Sequence, residues 1–391
     1  MLKSKRLKSK NGTPILPSSR QYQDPTKQGS KRRKAERSLV VRVKRVKTGM
    51  RRIIANIPKE KVSTSNSYAL LRKESLFHAN RVLSVAEQFY FNKTTSCCGE
   101  NKIISNEFKN VLDVIHQSSM VTNVEYNYEV SPQTIAFINA EIESLLNAQY
   151  LDGATSYNNQ FWLDEFLRSA YLNGAEDAIN SAANVTSLQA GAELTETLRS
   201  ATTNPVFLAG QMNRAALVGA RSFELMQGLT SQTRADLSMA LFDGMRRGLG
   251  VVELTKNVVG RVGVSHSRAT RIVRTEINHS YRLATRSETD AVNKEVYTDS
   301  PYELKMLWFS ALASTTRKWH ASRHGRTYTV RQVDKFYSED ANEINCYCSQ
   351  TQALVERKTG KVFQGDLMKQ MESQKREYFK DDIDDAPPAP G

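Results

Sequence analysis

Apolar residues recur every three or four positions through most of this sequence, and that spacing constrains the fold more than any other feature. Such spacing is typical of helices with one buried face. It predicts helices over 63–92, 105–116 and 132–150, and further helices between 160 and 201 and between 206 and 226. The alternation typical of strands is almost absent over 63–230, so we expect a helical domain or a set of helical arms there.

Glycines divide the pattern between 231 and 292. A capping-box pattern begins at Thr233 and predicts a helix that ends near Gly248 and Gly250. A short helix stopped by Gly260 and Gly263 should follow, and then a longer helix from about 265 to 292. Four arginines share one face of that longer helix, and we expect the face to be solvated. They are Arg268, Arg271, Arg282 and Arg286.

The apolar period changes after Pro301, where 303–310 and 326–330 are typical of short strands. The final residues, 381–391, are acidic and rich in proline and should stay disordered. The predicted fold class is α+β and mostly α: a helical N-terminal body followed by a small mixed α/β C-terminal module with few short strands. The predicted boundaries are a basic arm at 1–62, helical domain or arms at 63–230, a module at 231–356, and a helix with the acidic tail at 357–391.

Positive charge is concentrated at the N-terminus. Residues 1–62 hold 20 of the 55 basic residues and 3 of the 41 acidic ones, a net charge of +17, whereas the remaining 329 residues have a net charge of −3. This arm should be disordered, except that 39–47 could form a strand on a partner. Its cations predict salt-dependent binding to double-stranded DNA, with an acidic protein surface as the alternative. The candidate DNA-binding residues are Lys31, Arg32, Arg33, Lys34, Arg42, Lys44, Arg45, Lys47, Arg51 and Arg52.

Several classes of protein are disfavoured. The basic start has no apolar segment behind it, and no stretch is long enough to span a membrane, so we expect a protein made in the cytosol without a membrane partner. Four cysteines in 391 residues are too few for a disulfide framework. Motifs of hydrolases, nucleotide-binding loops and dinucleotide folds are absent from the sequence, which makes an enzyme the minority interpretation.

The residues with the most chemical potential lie between Trp308 and Cys348. His320 and His324 are four apart and would share a face of a helix, and Cys346 and Cys348 could add two thiolates to complete a zinc site. The alternative is that all four are structural residues with satisfied hydrogen bonds. Because no other cofactor is indicated, zinc is the one candidate.

The sequence also carries an ordered set of motifs from about 231 to 348. Arg274-Thr275-Glu276 lies within a predicted helix, where its Arg and Glu cannot face each other and should each pair with another element. Then come Trp308, a block from Arg317 to His320 with Gly325, and Asn345-Cys346-Tyr347-Cys348.

These motifs, in this order, resemble the phage Mu F-like minor head proteins, also called phage head morphogenesis proteins. The resemblance implies a structural protein without catalytic residues, made in the host cytoplasm and retained in the virion, in the capsid interior or at the portal vertex. The implied partners are the portal protein and the major capsid or scaffold protein. Three departures from the family pattern are Ala313 or Ser314, in place of an Asp between the Trp and the Arg, His324, in place of an acidic or polar residue, and Glu343-Ile344, in place of a histidine before Asn-Cys. The alternative function is a metal-dependent nuclease carried in the virion.

Overall fold

A computed structural model describes residues 12–16, 24–61, 126–187, 195, 196, 198, 200 and 205–380. Its helices are α1 (Gly29–Asn56), α2 (Pro132–Tyr150), α3 (Asp164–Thr186), α4 (Pro205–Arg246), α5 (Val251–Val296), α6 (Lys318–Ala321), α7 (Val330–Ser338) and α8 (Gly365–Tyr378). Its strands are β1 (Lys59–Lys61), β2 (Tyr126–Tyr128), β3 (Tyr302–Phe309), β4 (Thr327–Tyr328) and β5 (Ser349–Glu356). The mostly helical α+β class is confirmed. The helices predicted at 63–92 and 105–116 and the tail at 381–391 lie outside the described residues.

Two expectations for the basic arm are wrong. Residues Gly29–Asn56, which were expected to be disordered, form the 28-residue helix α1. The strand predicted at 39–47 is part of the same helix. Its buried residues follow a three- and four-residue spacing that the neighbouring cations obscure in the sequence. They are Ala35, Leu39, Val43, Val46, Met50 and Ile54. Burial of this stripe supplies the apolar contacts that a purely polycationic segment would lack.

Helix α5 is continuous, although two helices separated by Gly260 and Gly263 were expected. Its buried stripe, which includes Leu254, Val258, Val262 and Ala269, continues through both glycines at the same spacing. Packing along that stripe outweighs the helix-breaking tendency of glycine, which costs about 1 kcal/mol per residue relative to Ala. In the same way, α4 joins the two helices expected over 206–226 and from Thr233 onward.

A three-stranded antiparallel sheet follows the long helices, in the order β4-β3-β5. β3 pairs with β5 over its full length, from Tyr302 opposite Glu356 to Phe309 opposite Ser349. β3 and β4 were predicted, but β5 was not. Neither face of β5 is exposed to solvent, so the strand lacks the usual alternation of apolar and polar residues. Even Gln350 and Gln352 are buried, where they donate to the Tyr337 hydroxyl and the Thr289 hydroxyl, respectively.

The described residues divide into two compact units. The first contains the described residues within 1–42, 147–229 and 266–391, and the second contains those within 43–146 and 230–265. In the first unit, Met306 and Trp308 pack on one side of β3 against Phe336 and Tyr337 of α7. Leu307 and Phe309 pack on the other side with Met371 of α8.

Two polar contacts lie within the second unit. The Tyr128 hydroxyl donates to the carbonyl of Leu249 at 2.8 Å, and the Ser238 hydroxyl donates to Asn139 Oδ1 at 2.7 Å. Among the described residues, no helix is both long and apolar enough to cross a membrane.

Candidate functional site

The Arg274-Thr275-Glu276 signature lies on α5, and each of its side chains contacts a different element, as expected from their spacing. Arg274 Nε donates to Glu36 Oε1 of α1 at 2.6 Å. The Thr275 hydroxyl accepts the N–H of Asn345 at 2.9 Å. Glu276 accepts the Ser222 hydroxyl of α4 at 3.1 Å. The signature therefore joins α1, α4 and the Cys-x-Cys loop to one helix.

The expectation of a solvated arginine face on α5 is wrong for two of its four members. Arg282 is fully buried, and its guanidinium donates to the carbonyls of Cys346 at 3.1 Å and Cys348 at 3.3 Å. Arg286 is also buried and pairs with Asp334 of α7 at 2.6 Å. The reason is that the Cys-x-Cys loop and α7 pack on this part of the helix, so these cations bind protein groups in place of water. Arg268 and Arg271 are exposed.

The Cys-x-Cys loop is fixed mainly through its backbone. Asn278 Nδ2 of α5 donates to the carbonyl of Cys346 at 2.8 Å. Arg317 donates to the carbonyls of Asn342 at 3.1 Å and Ile344 at 3.0 Å. Asn345 has φ 53°, a left-handed conformation that Asn adopts more readily than most residues. This turn directs both cysteine side chains to the same side.

His320, Cys346 and Cys348 form one buried cluster, which we call the His-Cys-Cys cluster. Their candidate ligand atoms all lie within 4.8 Å of one another. His320 Nδ1 is 3.4 Å from Cys346 Sγ and 3.7 Å from Cys348 Sγ. The ring of Trp308 contacts the imidazole edge-on, with centroids 6.4 Å apart. The cluster therefore unites the Trp, His and Cys-x-Cys motifs.

His324 does not belong to this cluster, which corrects the predicted set of four metal ligands. Its Nδ1 accepts the N–H of Ser310 at 3.0 Å, and its Nε2 contacts Gln374 Oε1 of α8 at 3.1 Å. Burial lowers the pKa of His324 to about 4. The four-residue spacing fails because α6 ends at Ala321 and the chain turns at Gly325, which has φ 77°.

The two thiols of the cluster differ in acidity. Burial by itself would raise the pKa of Cys346, but hydrogen bonds with Cys348 and His320 and the charge of Arg282 lower that pKa well below its ordinary value. Burial and the neighbouring Cys346 raise the pKa of Cys348. Cys346 is therefore the more readily ionised thiol and the stronger candidate metal ligand.

A second network, exposed at Arg221, lies beside the cluster and was not predicted. His279 Nδ1 bonds to Glu343, and Arg221 of α4 donates to Glu343 at 2.9 Å and lies 3.5 Å from Glu276. Burial raises the pKa of Glu276 to about 7 and lowers the pKa of His279 to about 4. Burial would also raise the pKa of Glu343, but hydrogen bonds with His279 and Arg221 and the charge of Arg282 keep it below its ordinary value.

The structure separates the ten candidate DNA-binding cations. Six are exposed on α1: Arg33, Lys34, Lys44, Arg45, Arg51 and Arg52. Lys31, Arg42 and Lys47 are half-buried, and Arg42 pairs with Asp152 at 2.5 Å. Arg32 is buried and bonds to Asp24 and Asn278, so its guanidinium is not available at the surface.

The family comparison matches the part of the chain that carries the signature residues and the cluster. Residues 235–351 match the family model described as Phage Mu protein F like protein. This segment is 117 of the 391 residues and contains every motif named above, from Arg274 to Cys348. No curated protein and no solved structure matches the chain. Residues 235–351 are therefore similar to the phage Mu protein F-like family.

Proposed function

We propose that the chain is a structural protein of a tailed-bacteriophage head that acts in head morphogenesis and stays in the virion. The family match of residues 235–351 carries this proposal. Its signature residues support a scaffold role, because they fasten elements together. Arg274 binds α1, Arg317 binds the loop before Cys346, and His320 meets both cysteines.

The chemistry of the signature residues favours a structural role over a nuclease. His320, Cys346 and Cys348 are at most 5% exposed, which leaves no surface for a DNA phosphate to approach. A groove of about 560 Å³ is lined by residues between Asn159 and Asn173, and none of these residues belongs to the cluster. We therefore assign the cluster to holding the fold.

Exposed apolar side chains of the second unit supply contacts for assembly partners. Phe137 of α2, Met239 of α4 and Val252 of α5 are 62%, 62% and 85% exposed. The partners we propose are the portal protein and the major capsid or scaffold protein, which would put the chain at the portal vertex or in the capsid interior.

The proposed DNA contact is the exposed face of α1. At 3.6 residues per turn, its seven exposed cations fall within about 120° of the helix circumference. They are Arg33, Lys34, Arg37, Lys44, Arg45, Arg51 and Arg52. The opposite face of α1 is buried, so these cations can contact a phosphate backbone without unfolding the helix.

Co-purification with assembling heads tests the proposed function. When the chain is co-produced with the portal, scaffold and major capsid proteins, purified procapsids should contain it at a constant ratio to the portal. Phe137→Glu combined with Met239→Glu should lower that ratio several-fold, because charges would enter an apolar contact. A matched control, Gln133→Glu with Asn257→Glu, adds the same charge at exposed polar positions of α2 and α5. A wild-type chain found only free in the lysate would refute the proposal.

A further inference from the structure

The two nitrogen–sulfur distances in the His-Cys-Cys cluster agree with a tetrahedral zinc site. With Zn–S of about 2.3 Å and Zn–N of about 2.0 Å, tetrahedral angles put nitrogen and sulfur about 3.5 Å apart. His320 Nδ1 lies 3.4 Å from one sulfur and 3.7 Å from the other. Both distances thus agree with that value before any ion is considered.

Hydrogen bonds around Asn342 determine which imidazole nitrogen faces the sulfurs as an acceptor. Asn342 Nδ2 donates to the carbonyl of Phe336 at 3.0 Å, which fixes the orientation of the amide. Its Oδ1 accepts Trp319 Nε1–H at 2.8 Å and lies 3.2 Å from His320 Nε2. Because an amide oxygen cannot donate, Nε2 carries the proton and Nδ1 presents its lone pair to the two sulfurs.

This arrangement is typical of a metal-ligating histidine, whose other ring nitrogen donates to a fixed oxygen. Arg317 Nη1 lies farther from Nε2, at 3.4 Å, and an unprotonated Nε2 would set its lone pair against the Asn342 oxygen at 3.2 Å. Two thiols converge on the single lone pair of Nδ1, and only one of them could donate to it. A metal ion would use the lone pair and both sulfurs together.

The polar surroundings also suit thiolates. The N–H of Cys348 donates to Cys346 Sγ at 3.4 Å, and the Ser310 hydroxyl lies 3.4 Å from Cys348 Sγ. The buried Arg282 holds the carbonyls of both cysteines. Positive charge and N–H groups near sulfur favour the deprotonated form that binds metal.

We propose that His320 Nδ1, Cys346 Sγ and Cys348 Sγ bind one zinc ion, which fastens the Cys-x-Cys loop to α6. Thiolate and imidazole ligands select zinc over magnesium or calcium, which prefer oxygen. Three protein ligands are one fewer than most structural zinc sites have, so a buried water molecule would complete the tetrahedron. The ion has a structural role here, in keeping with the burial of all three ligands.

Elemental analysis of the full-length chain, purified without chelators, tests this site. We expect one zinc per chain, and replacement by Co²⁺ should give sulfur-to-cobalt charge-transfer absorption. Cys346→Ser should lose both signals. The matched control is Cys97→Ser with Cys98→Ser, which removes two cysteines that the assignment leaves out and should keep the zinc. Loss of zinc from that control would contradict the assignment to these three ligands.

A second measurement does not depend on whether Cys346→Ser folds. Removing zinc from the wild-type chain with a chelator should lower its melting temperature, and adding zinc back should restore it. Asn342→Ala, which removes the acceptor for His320 Nε2, should weaken zinc binding about 10- to 100-fold. A wild-type chain without zinc and without a cobalt spectrum would overturn the proposal and leave a hydrogen-bonded imidazole and two thiols. Neither result depends on co-purification with procapsids, so the two proposals fail separately.

Discussion

At the scale of single residues, α5 contains two neighbours whose protonation responds to burial in opposite directions. Burial raises the pKa of Glu276 from 4.5 to about 7 and lowers that of His279 from 6.5 to about 4. Between pH 4.5 and 7 the folded chain holds a proton on Glu276 that the unfolded chain releases, so the contribution of Glu276 to stability falls as pH rises. His279 is the reverse, and its contribution is lost as pH falls from 6.5 toward 4.

Two glutamine variants test these directions. The free energy of unfolding of wild type relative to Glu276→Gln should decrease between about pH 5 and pH 8. Relative to His279→Gln it should increase over the same interval, because the unfolded chain releases its histidine proton there. Urea denaturation across that range measures both differences, and each variant serves as the control for the other. If the free energy of unfolding changed with pH in the same way for wild type and both variants, the proposed protonation states would be contradicted.

The sequence identified only part of this site at residue scale. Arg274, Glu276, Trp308, Arg317, His320 and both cysteines stand out through their motif order. Arg221, Asn278 and Asn342 had no such signal, because their partners lie up to 122 positions away in the chain. His279 could have been identified from the sequence, because it lies three residues after Glu276 and so on the same face of the predicted helix. Local spacing cannot specify which buried polar groups will meet.

At the scale of secondary-structure elements, two glycines in helices have opposite roles. A Cβ at Gly174 of α3 would lie 2.3 Å from the carbonyl oxygen of Tyr281 and 3.0 Å from Ala284 Cβ, so this glycine allows α3 to approach α5 closely. Gly260 of α5 is exposed, and a Cβ there would have no neighbour within 4 Å. The same substitution should therefore change stability in opposite directions.

Gly174→Ala should destabilise the chain by about 1–3 kcal/mol through overpacking against backbone. Gly260→Ala should stabilise it by about 0.5–1 kcal/mol, since Ala is the better helix former. Guanidinium denaturation measures both changes. If Gly174→Ala left the free energy of unfolding unchanged, α3 and α5 would be free to separate at this contact.

The periodicity of the sequence predicted α2, β3 and the approximate position of α3, where one spacing dominates. It failed where two signals competed. In α1 the cations hid a buried stripe, in α5 the glycines suggested breaks that packing overrides, and in β5 the buried glutamines removed the alternation. Each error arose where tertiary contacts, which the local pattern does not contain, decided the outcome.

At the scale of the whole molecule, 11 of the 20 basic residues of 1–62 lie on α1, a helix with one buried face. Removing residues 1–62 would delete the contacts of Arg32 with Asn278 and of Glu36 with Arg274, together with the buried stripe of α1. Such a truncation would measure folding as much as DNA affinity. Substitutions on the exposed face of α1 separate the two effects.

The four substitutions Lys44→Gln, Arg45→Gln, Arg51→Gln and Arg52→Gln should weaken DNA binding and reduce the slope of log affinity against log salt by up to about 3–4. The melting temperature should hardly change, because all four side chains are exposed. The matched control changes four exposed cations outside α1 to Gln: Lys256, Arg261, Arg271 and Arg331. Equal slopes for the two variants would show that the charge acts without regard to its position on the molecule.

The placement of His320 between two tryptophans has an optical consequence. Its ring centroid is 6.4 Å from that of the buried Trp308 and 5.8 Å from that of Trp319, which is 41% exposed. Imidazole and sulfur groups at such range quench indole fluorescence. Because Trp308 emits from an apolar interior and Trp319 from a partly hydrated one, the two should differ in wavelength. Once Trp162, the third tryptophan of the chain, is replaced, the cluster carries a built-in reporter with which zinc occupancy or docking into a procapsid can be followed without a label.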